Sequence, residues 1–344
     1  MRSLVADRVS IVEGGSDLVG AFTALTDEVY AEVDAATPGR PTSGRFAALL
    51  DDAQPSRRRC SLRLFLAPGR ARAAAIVNPR LVGPDGKPIG LIGFFESRDD
   101  EPAATAVLTA ATDWLHERGA TIVRGPINFT TWHDYRLVTD APEPGWFTGE
   151  PSHPAYYPRL WRAAGFTPAS AYGSYWMPEL GPLHDRFLAR AERAADAGVT
   201  VRPVSVGDLP AVYQLSMIGF RDAHMFSQIE PDEFAALYGA DRAASVASTS
   251  FLAVDDGRPV GFLYTFMTDL PRGRVGVAKS IAIRPEARDR GVYHALFAAA
   301  IGAFRDHDAV AGIAALIHID GEPAKMGWQV PDRRFKTYEL FERP

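Results

Sequence analysis

The chain reads as a mixed α/β protein made of two similar halves, and three observations predict this. Its 344 residues are too many for one ordinary compact domain, and 47% hydrophobic residues suffice for two cores. The same order of elements occurs twice: strand, helix, hairpin, strand, helix, strand, short helix, strand. Between the two runs, residues 179–198 form an Arg/Ala-rich amphipathic stretch that reads as a connecting helix. The expected boundaries are 1–180, 181–198 and 199–344. Identity between the halves is faint, so the repeat is one of architecture. A single large mixed domain is the competing arrangement.

In the first half, residues 8–12 form a short strand and 18–33 have helical spacing. Two strands, 60–66 and 72–82, flank a turn at Pro68-Gly69. Residues 89–96 are apolar enough for a central strand. Within 101–118, Ala103, Val107, Ala110, Ala111 and Trp114 share one helical face, acids open the helix and Gly119 closes it. A strand follows at 121–124. Residues 129–152 are irregular, 156–164 helical and 171–177 a strand. The second half begins with a strand at 200–203 and helices at 209–220 and 231–238. Strands 251–254 and 260–266 make a hairpin at Asp255-Asp256-Gly257-Arg258, where Asp-Gly accepts positive φ. Strand 275–283 leads to helix 292–305, with Leu296, Ala300 and Phe304 on one face. Strands 310–318 and 335–341 close the half.

Composition excludes several classes. Net charge is −5 and the arginines are scattered, which argues against a nucleic-acid partner. Arg57-Arg58-Arg59, the longest basic run, reads as the solvated flank of a strand. Cys60 is the sole cysteine, so no internal disulfide and no Cys-rich metal site is possible. No apolar run approaches the roughly 20 residues that span a bilayer, so no membrane is expected. The opening MRSLVADRVSIVEGG lacks the apolar core of a signal peptide, and a cytoplasmic location is expected.

The segment from Val277 to Leu296 carries most of the chemistry. An apolar strand ends at Ile283, a short charged loop follows, and Arg288, Arg290 and Gly291 lead into a helix. Free N–H groups at a helix start, with the dipole behind them, cradle a phosphate. Gly291 permits close approach and the arginines add charge.

This segment resembles the cofactor motif of the GNAT acyltransferases, Arg/Gln-x-x-Gly-x-Gly/Ala after a strand. Arg288 and Gly291 match its first fixed positions, with Arg290 and Val292 beside them. Ile281 and Ile283 match the strand positions whose backbone, in that family, pairs with pantetheine and the acyl group. Tyr293 stands where the family has Gly or Ala; it either crowds the pyrophosphate or turns into the core. Residues 251–262 and 201–210 resemble the family's hairpin and its opening strand and helix, so the likeness covers 199–344. In the first half, Gly90–Ser97, Arg124–Asn128 and Tyr156–Phe166 resemble the same superfamily. Trp161 holds the place where that motif often has a tyrosine acid. The loop Ser97-Arg-Asp-Asp-Glu101 has no glycine and would repel a pyrophosphate, so no CoA is expected there.

The resemblance implies two tandem GNAT-like domains, each a mostly antiparallel splayed sheet flanked by helices. It implies direct transfer from acetyl-CoA or another acyl-CoA to a small-molecule amine, with no metal, in a monomer or homodimer. A GNAT scaffold using another donor, such as aminoacyl-tRNA, and a non-catalytic binding protein are the alternatives. Transfer needs the amine to lose a proton and the oxyanion to be stabilised. His318 is the first candidate base, with Asp320 beside it. Lys279 shares strand parity with Val275, Val277, Ile281 and Ile283, and so either holds a substrate carboxylate or makes a salt bridge at the sheet edge. His133, Asp134 and His224 are further candidates. Cys60 reads as a buried structural thiol.

Overall fold

The computed structural model describes residues 2–6, 9–33, 39–321 and 327–344. Two compact units make up the chain. The first comprises Met1–Asp140, Thr148–Ala171 and Tyr338–Pro344; the second comprises Ala141–Phe147 and Tyr172–Thr337.

In the first unit, strands β1 (Arg2–Ala6), β2 (Val9–Gly14), β3 (Ser61–Ala67), β4 (Ala71–Val82) and β5 (Pro88–Ser97) pair in succession, all antiparallel. Strand β6 (Ile122–Gly125) then pairs parallel with β5. Helices α1 (Val19–Val29), α2 (Ser43–Leu50) and α3 (Pro55–Arg58) lie between β2 and β3 in the chain, and α4 (Glu101–His116) links β5 to β6. A short strand β7 (Leu137–Asp140), helix α5 (Tyr157–Ala163) and strand β8 (Thr167–Met177) follow. Val107, Leu108, Ala111 and Leu115 of α4 pack on Phe65, Ala73, Ile92 and Val123, with Leu160 and Trp161 completing that core.

The second unit contains helix α6 (Leu180–Asp196), strand β9 (Val199–Pro203), and helices α7 (Leu209–Gly219), α8 (Pro231–Tyr238) and α9 (Ala240–Val246). Strands β10 (Phe251–Asp255), β11 (Arg258–Leu270) and β12 (Gly273–Ile283) precede helix α10 (Val292–Asp306), strand β13 (Ala311–His318) and strand β14 (Arg334–Arg343). Strands β9 to β12 pair antiparallel in succession, and β13 joins β12 in parallel. Each sheet is thus antiparallel except for one parallel step, at the same place in the order. The strand beyond that step comes from a distant part of the chain in both. Residues 172–177 of β8 flank β13, and residues 341–343 of β14 flank β6, both antiparallel.

The elements follow from local chemistry. Asp256 and Gly257, at φ of 45° and 74°, turn the β10–β11 hairpin, as the Asp-Gly signal predicts. Gly276 lets α10 lie close on the sheet; a Cβ there would sit 2.3 Å from the Phe304 ring. Several short elements escape the sequence reading: β1, β7, α2, α3 and α9. Helix α2 does carry a signal, since Thr42 accepts the Arg45 N–H at 3.2 Å. Arg8, expected to open the first strand, lies outside the described residues.

Candidate active site of the second unit

Strand β12 holds the decisive irregularity. Ser280 pairs with Tyr264 and Ala278 pairs with Thr265, which leaves Lys279 as an extra residue in a β-bulge. The bulge reverses the alternation. Val275 and Val277 pack with Phe266 and Ile313, whereas Ile281 and Ile283 join the core built around α10. The expected common parity of Lys279 with all four residues is therefore corrected: a bulge residue breaks the period of two on which that parity rested. Lys279 is half-buried at this break.

The parallel ladder between β12 and β13 ends at the same level, with Ala278 opposite Ala314. Beyond it β12 continues along β11 while β13 continues along β8. The end of β13 is itself irregular. Leu316 has φ of 59°, the register with β8 slips between Ala314 and Ile317, and the Leu316 N–H donates to Ser174 Oγ at 3.0 Å. Such sparsely populated backbone concentrates at functional sites.

This irregular end carries His318. Its ring meets Tyr172 edge-on at 4.8 Å and lies 5.7 Å from the ring of His224. His224 precedes Met225, which also has positive φ, at 58°. The structure therefore brings together two histidines that the sequence named separately, and adds Tyr172, read there only as part of a strand. Asp320 is exposed two residues past His318. His133 and Asp134 belong to the first unit, where His133 Nδ1 lies 3.1 Å from Thr130 Oγ1 and Asp134 pairs with Arg45 at 2.5 Å. Cys60 is buried in the first unit.

The predicted phosphate cradle has the expected backbone, with the end of α6 packed beside it. Gly291 takes the left-handed conformation, φ 80°, at the start of α10. A Cβ there would meet Ala194 N at 2.9 Å and Arg193 Cβ at 3.0 Å, so the last turn of α6 covers the glycine. Arg290 binds Asp255 at 2.5 Å and the Ala197 carbonyl at 2.6 Å, and Arg193 donates to the Asp289 carbonyl at 3.0 Å. Arg290 therefore secures α6 and β10 and does not point to an open anion site, while Arg288 stays exposed. Tyr293 turns into the core: its hydroxyl accepts from Trp328 Nε1 at 2.7 Å among Phe187 and Phe297, and burial pushes its proton affinity well up. In this arrangement α6 packs on the side of Gly291 where a side chain would lie.

The first unit closes the equivalent places differently. The Asp100 carboxylate caps α4, accepting the Ala103 N–H at 3.1 Å, and pairs with Arg70 at 2.6 Å. Strands β5 and β6 stay tied past their ladder: Ile127 N–H donates to the Ile92 carbonyl at 2.8 Å and Phe94 N–H to Asn128 Oδ1 at 2.7 Å. Gly93 makes this possible, because a Cβ would lie 2.4 Å from the Ile127 oxygen. Trp161 packs beneath Gly125 in the core.

Two sheets with one parallel step apiece, a bulged strand before it and a helix rising from the loop beyond define a tandem acyltransferase-type fold. Residues 209–325 match the acetyltransferase (GNAT) family. The whole fold resembles a tandem GNAT protein from the clavulanic acid biosynthesis pathway (14% identity, TM-score 0.54, 97% of each chain). It also resembles a GCN5-related N-acetyltransferase from Sphaerobacter thermophilus (14% identity, TM-score 0.51, 99% of this chain and 96% of that one). A third likeness is the glucosamine N-acetyltransferase region of a fungal multi-domain β-N-acetylglucosaminidase (13% identity, TM-score 0.55), where 97% of this chain spans 38% of that one. At these identities the likeness is one of fold. No curated protein matches by sequence. Among the described residues no helix is long and apolar enough to cross a membrane, and no three His, Cys, Asp or Glu side chains cluster to hold a metal.

Proposed function

We propose that the protein is an N-acyltransferase that moves an acyl group, acetyl first among the candidates, from CoA to a small-molecule amine by direct transfer at the β12 bulge. The observation that carries this reading is the coincidence of the bulge at Lys279 with the end of the β12–β13 ladder and the His318–His224–Tyr172 group. An amine must shed a proton to attack, and His318 is the group assigned to take it, with His224 and Tyr172 fixing its ring. Lys279 is assigned to the substrate's side of the bulge.

The donor's phosphates are assigned to the N–H groups at the start of α10, beside the last turn of α6, Arg193–Ala197, and that turn is the element taken to yield on binding. That turn is held by the Arg193 and Arg290 bonds rather than by a large apolar surface of its own, since Arg193 and Ala195 to Ala197 are exposed or half-buried. Calorimetric titration with CoA of the unaltered protein and of Arg193→Ala tests this. The variant is expected to bind CoA several-fold tighter. Failure of both to bind removes CoA as the donor and leaves the second reading, a GNAT scaffold that uses another activated donor or none, which the covered Gly291 and inward Tyr293 favour. With CoA bound, an amine screen then identifies the acceptor, and His318→Ala is expected to lower kcat with little change in KM.

A further inference from the structure

The first unit holds a cleft of about 70 Å³ at the bulge of β5, the strand that corresponds in sheet order to β12. Here Phe94 and Phe95 oppose Ala73 alone, and Phe94 has φ of 50°. The next residue, Glu96, lies in the cleft wall and is buried. A carboxylate removed from water needs compensation. Tyr157 from α5 donates to its Oε2 at 2.5 Å, and the hydroxyl of Tyr30, just past α1, lies beside it while donating to the Ser152 carbonyl at 3.1 Å. Arg72 from β4 stands opposite it in the ladder, yet its nearest nitrogen is 3.8 Å away. The guanidinium is held instead between the rings of Phe22 and Phe46, at 4.6 and 4.9 Å, and donates to the Phe22 carbonyl at 2.9 Å.

Arg72 and two hydroxyls do not offset burial, which pushes Glu96 up to about 7. Tyr30 and Tyr157 line the cleft and Arg72 does not, so on the cleft side the carboxylate is met by hydroxyls and not by its guanidinium partner. The remaining walls balance in charge, two acids against two arginines, which leaves Glu96 as the excess. Asp134 and Glu150 join Glu96 against Arg45 and Arg136, and Asp134 is already paired with Arg45. Ser152 Oγ, in the same wall, is buried without a hydrogen-bond partner among the described residues. Phe46, Phe94 and Tyr157 supply aromatic surface, which attracts a cation through the ring face.

We propose that this cleft binds a small organic ammonium ion, with Glu96 as its counter-charge and Ser152 Oγ as an acceptor for one of its N–H groups. The site stands apart from acyl transfer in the second unit and does not depend on it. Titratable groups facing Glu96 are Arg72, Tyr30, Tyr156 and Tyr157, and Arg45, Asp134, Tyr135, Arg136, Glu150 and His153 share the cleft, His153 stacked on Tyr157 at 5.3 Å. The tyrosines stay protonated, since burial raises all three, and Glu96→Gln separates the carboxyl from His153 in the pH response.

Calorimetric titration of the full chain with ethylammonium, at pH 6 and pH 8 and with acetate as the anionic control, tests the proposal. Ethylammonium is expected to bind, and to bind about tenfold tighter at pH 8 as Glu96 loses its proton. Glu96→Gln is expected to weaken it by about tenfold or more. Equal binding by that variant, no binding at millimolar concentration, or preference for acetate overturns the assignment. If Glu96→Gln fails to fold, the pH series on the unaltered protein decides: affinity that does not rise with pH overturns it equally.

Discussion

The two units solve the same problem at the start of the same helix in opposite ways. Helix α4 begins with a side chain of its own, the Asp100 carboxylate, on its free N–H groups. Helix α10 begins with a bare Gly291 and has the main chain of α6 laid over it. The bulged strands differ in the same sense. In β5 the bulge leads to a buried acid paired with Arg72; in β12 the bulge residue is a half-buried lysine. A unit that fills its anion position with a covalently attached carboxylate has given up that position. A unit that covers it with a neighbouring helix has only closed it.

The largest way to break this contrast is at the buried pair. Arg72→Met is expected to destabilise the first unit by about 3 kcal/mol, read by chemical denaturation, because it leaves Glu96 alone in the core. A variant with unchanged stability would mean that Glu96 is neutral throughout. The acid itself gives the next effect. Glu96 in the folded state holds its proton up to about pH 7, above its ordinary 4.5, so the unfolded chain releases it first. Its contribution is therefore complete below about pH 4.5 and is lost as pH rises through 7, by up to about 3 kcal/mol. Glu96→Gln should flatten that part of the stability–pH curve, and a slope that persists in the variant assigns it to other groups.

Gly291→Ala comes third. It forces a side chain into the left-handed region and against Ala194 N, at a cost of about 2 kcal/mol or a displaced α6. A lowered melting temperature with stronger CoA binding would show that α6 lifts as a lid; a lowered temperature alone would show that it is fixed. The smallest effect is Asp100→Ala, about 1 kcal/mol for a lost cap. It should not create CoA binding in the first unit, because Ile127 and Asn128 still tie β6 to β5.

What the sequence made legible was local. The Asp-Gly hairpin, the apolar face of α10 and the Gly291 turn each depend on a few neighbouring residues, and each is present. The bulge at Lys279 was not legible, because one inserted residue changes no composition and only shifts the phase of an alternation. The cover over Gly291 was hidden for another reason. The amphipathic face of α6 was visible, but its partner was a tertiary matter. Arg72 and Glu96 did carry a signal that passed unread. Each is a single charge in an otherwise apolar strand, Ala71–Ile76 and Ile89–Glu96, and opposite charges in adjacent strands call for each other. The same reasoning in reverse would have placed His318 beside Tyr172 only if the register of β8 on β13 had been known.

The traded flanking strands have a consequence for how the protein is made. Residues 172–177 leave the ribosome early and complete a sheet whose other strands do not yet exist. Residues 338–344 emerge after the strands of the second unit and complete a sheet begun before it. Until then β6 presents an unpaired edge, the kind of surface on which nascent chains aggregate. Neither half of the gene therefore encodes a self-sufficient product. Cutting the chain between residues 178 and 179 yields two fragments that each lack a strand, and mixing them should restore what neither has alone.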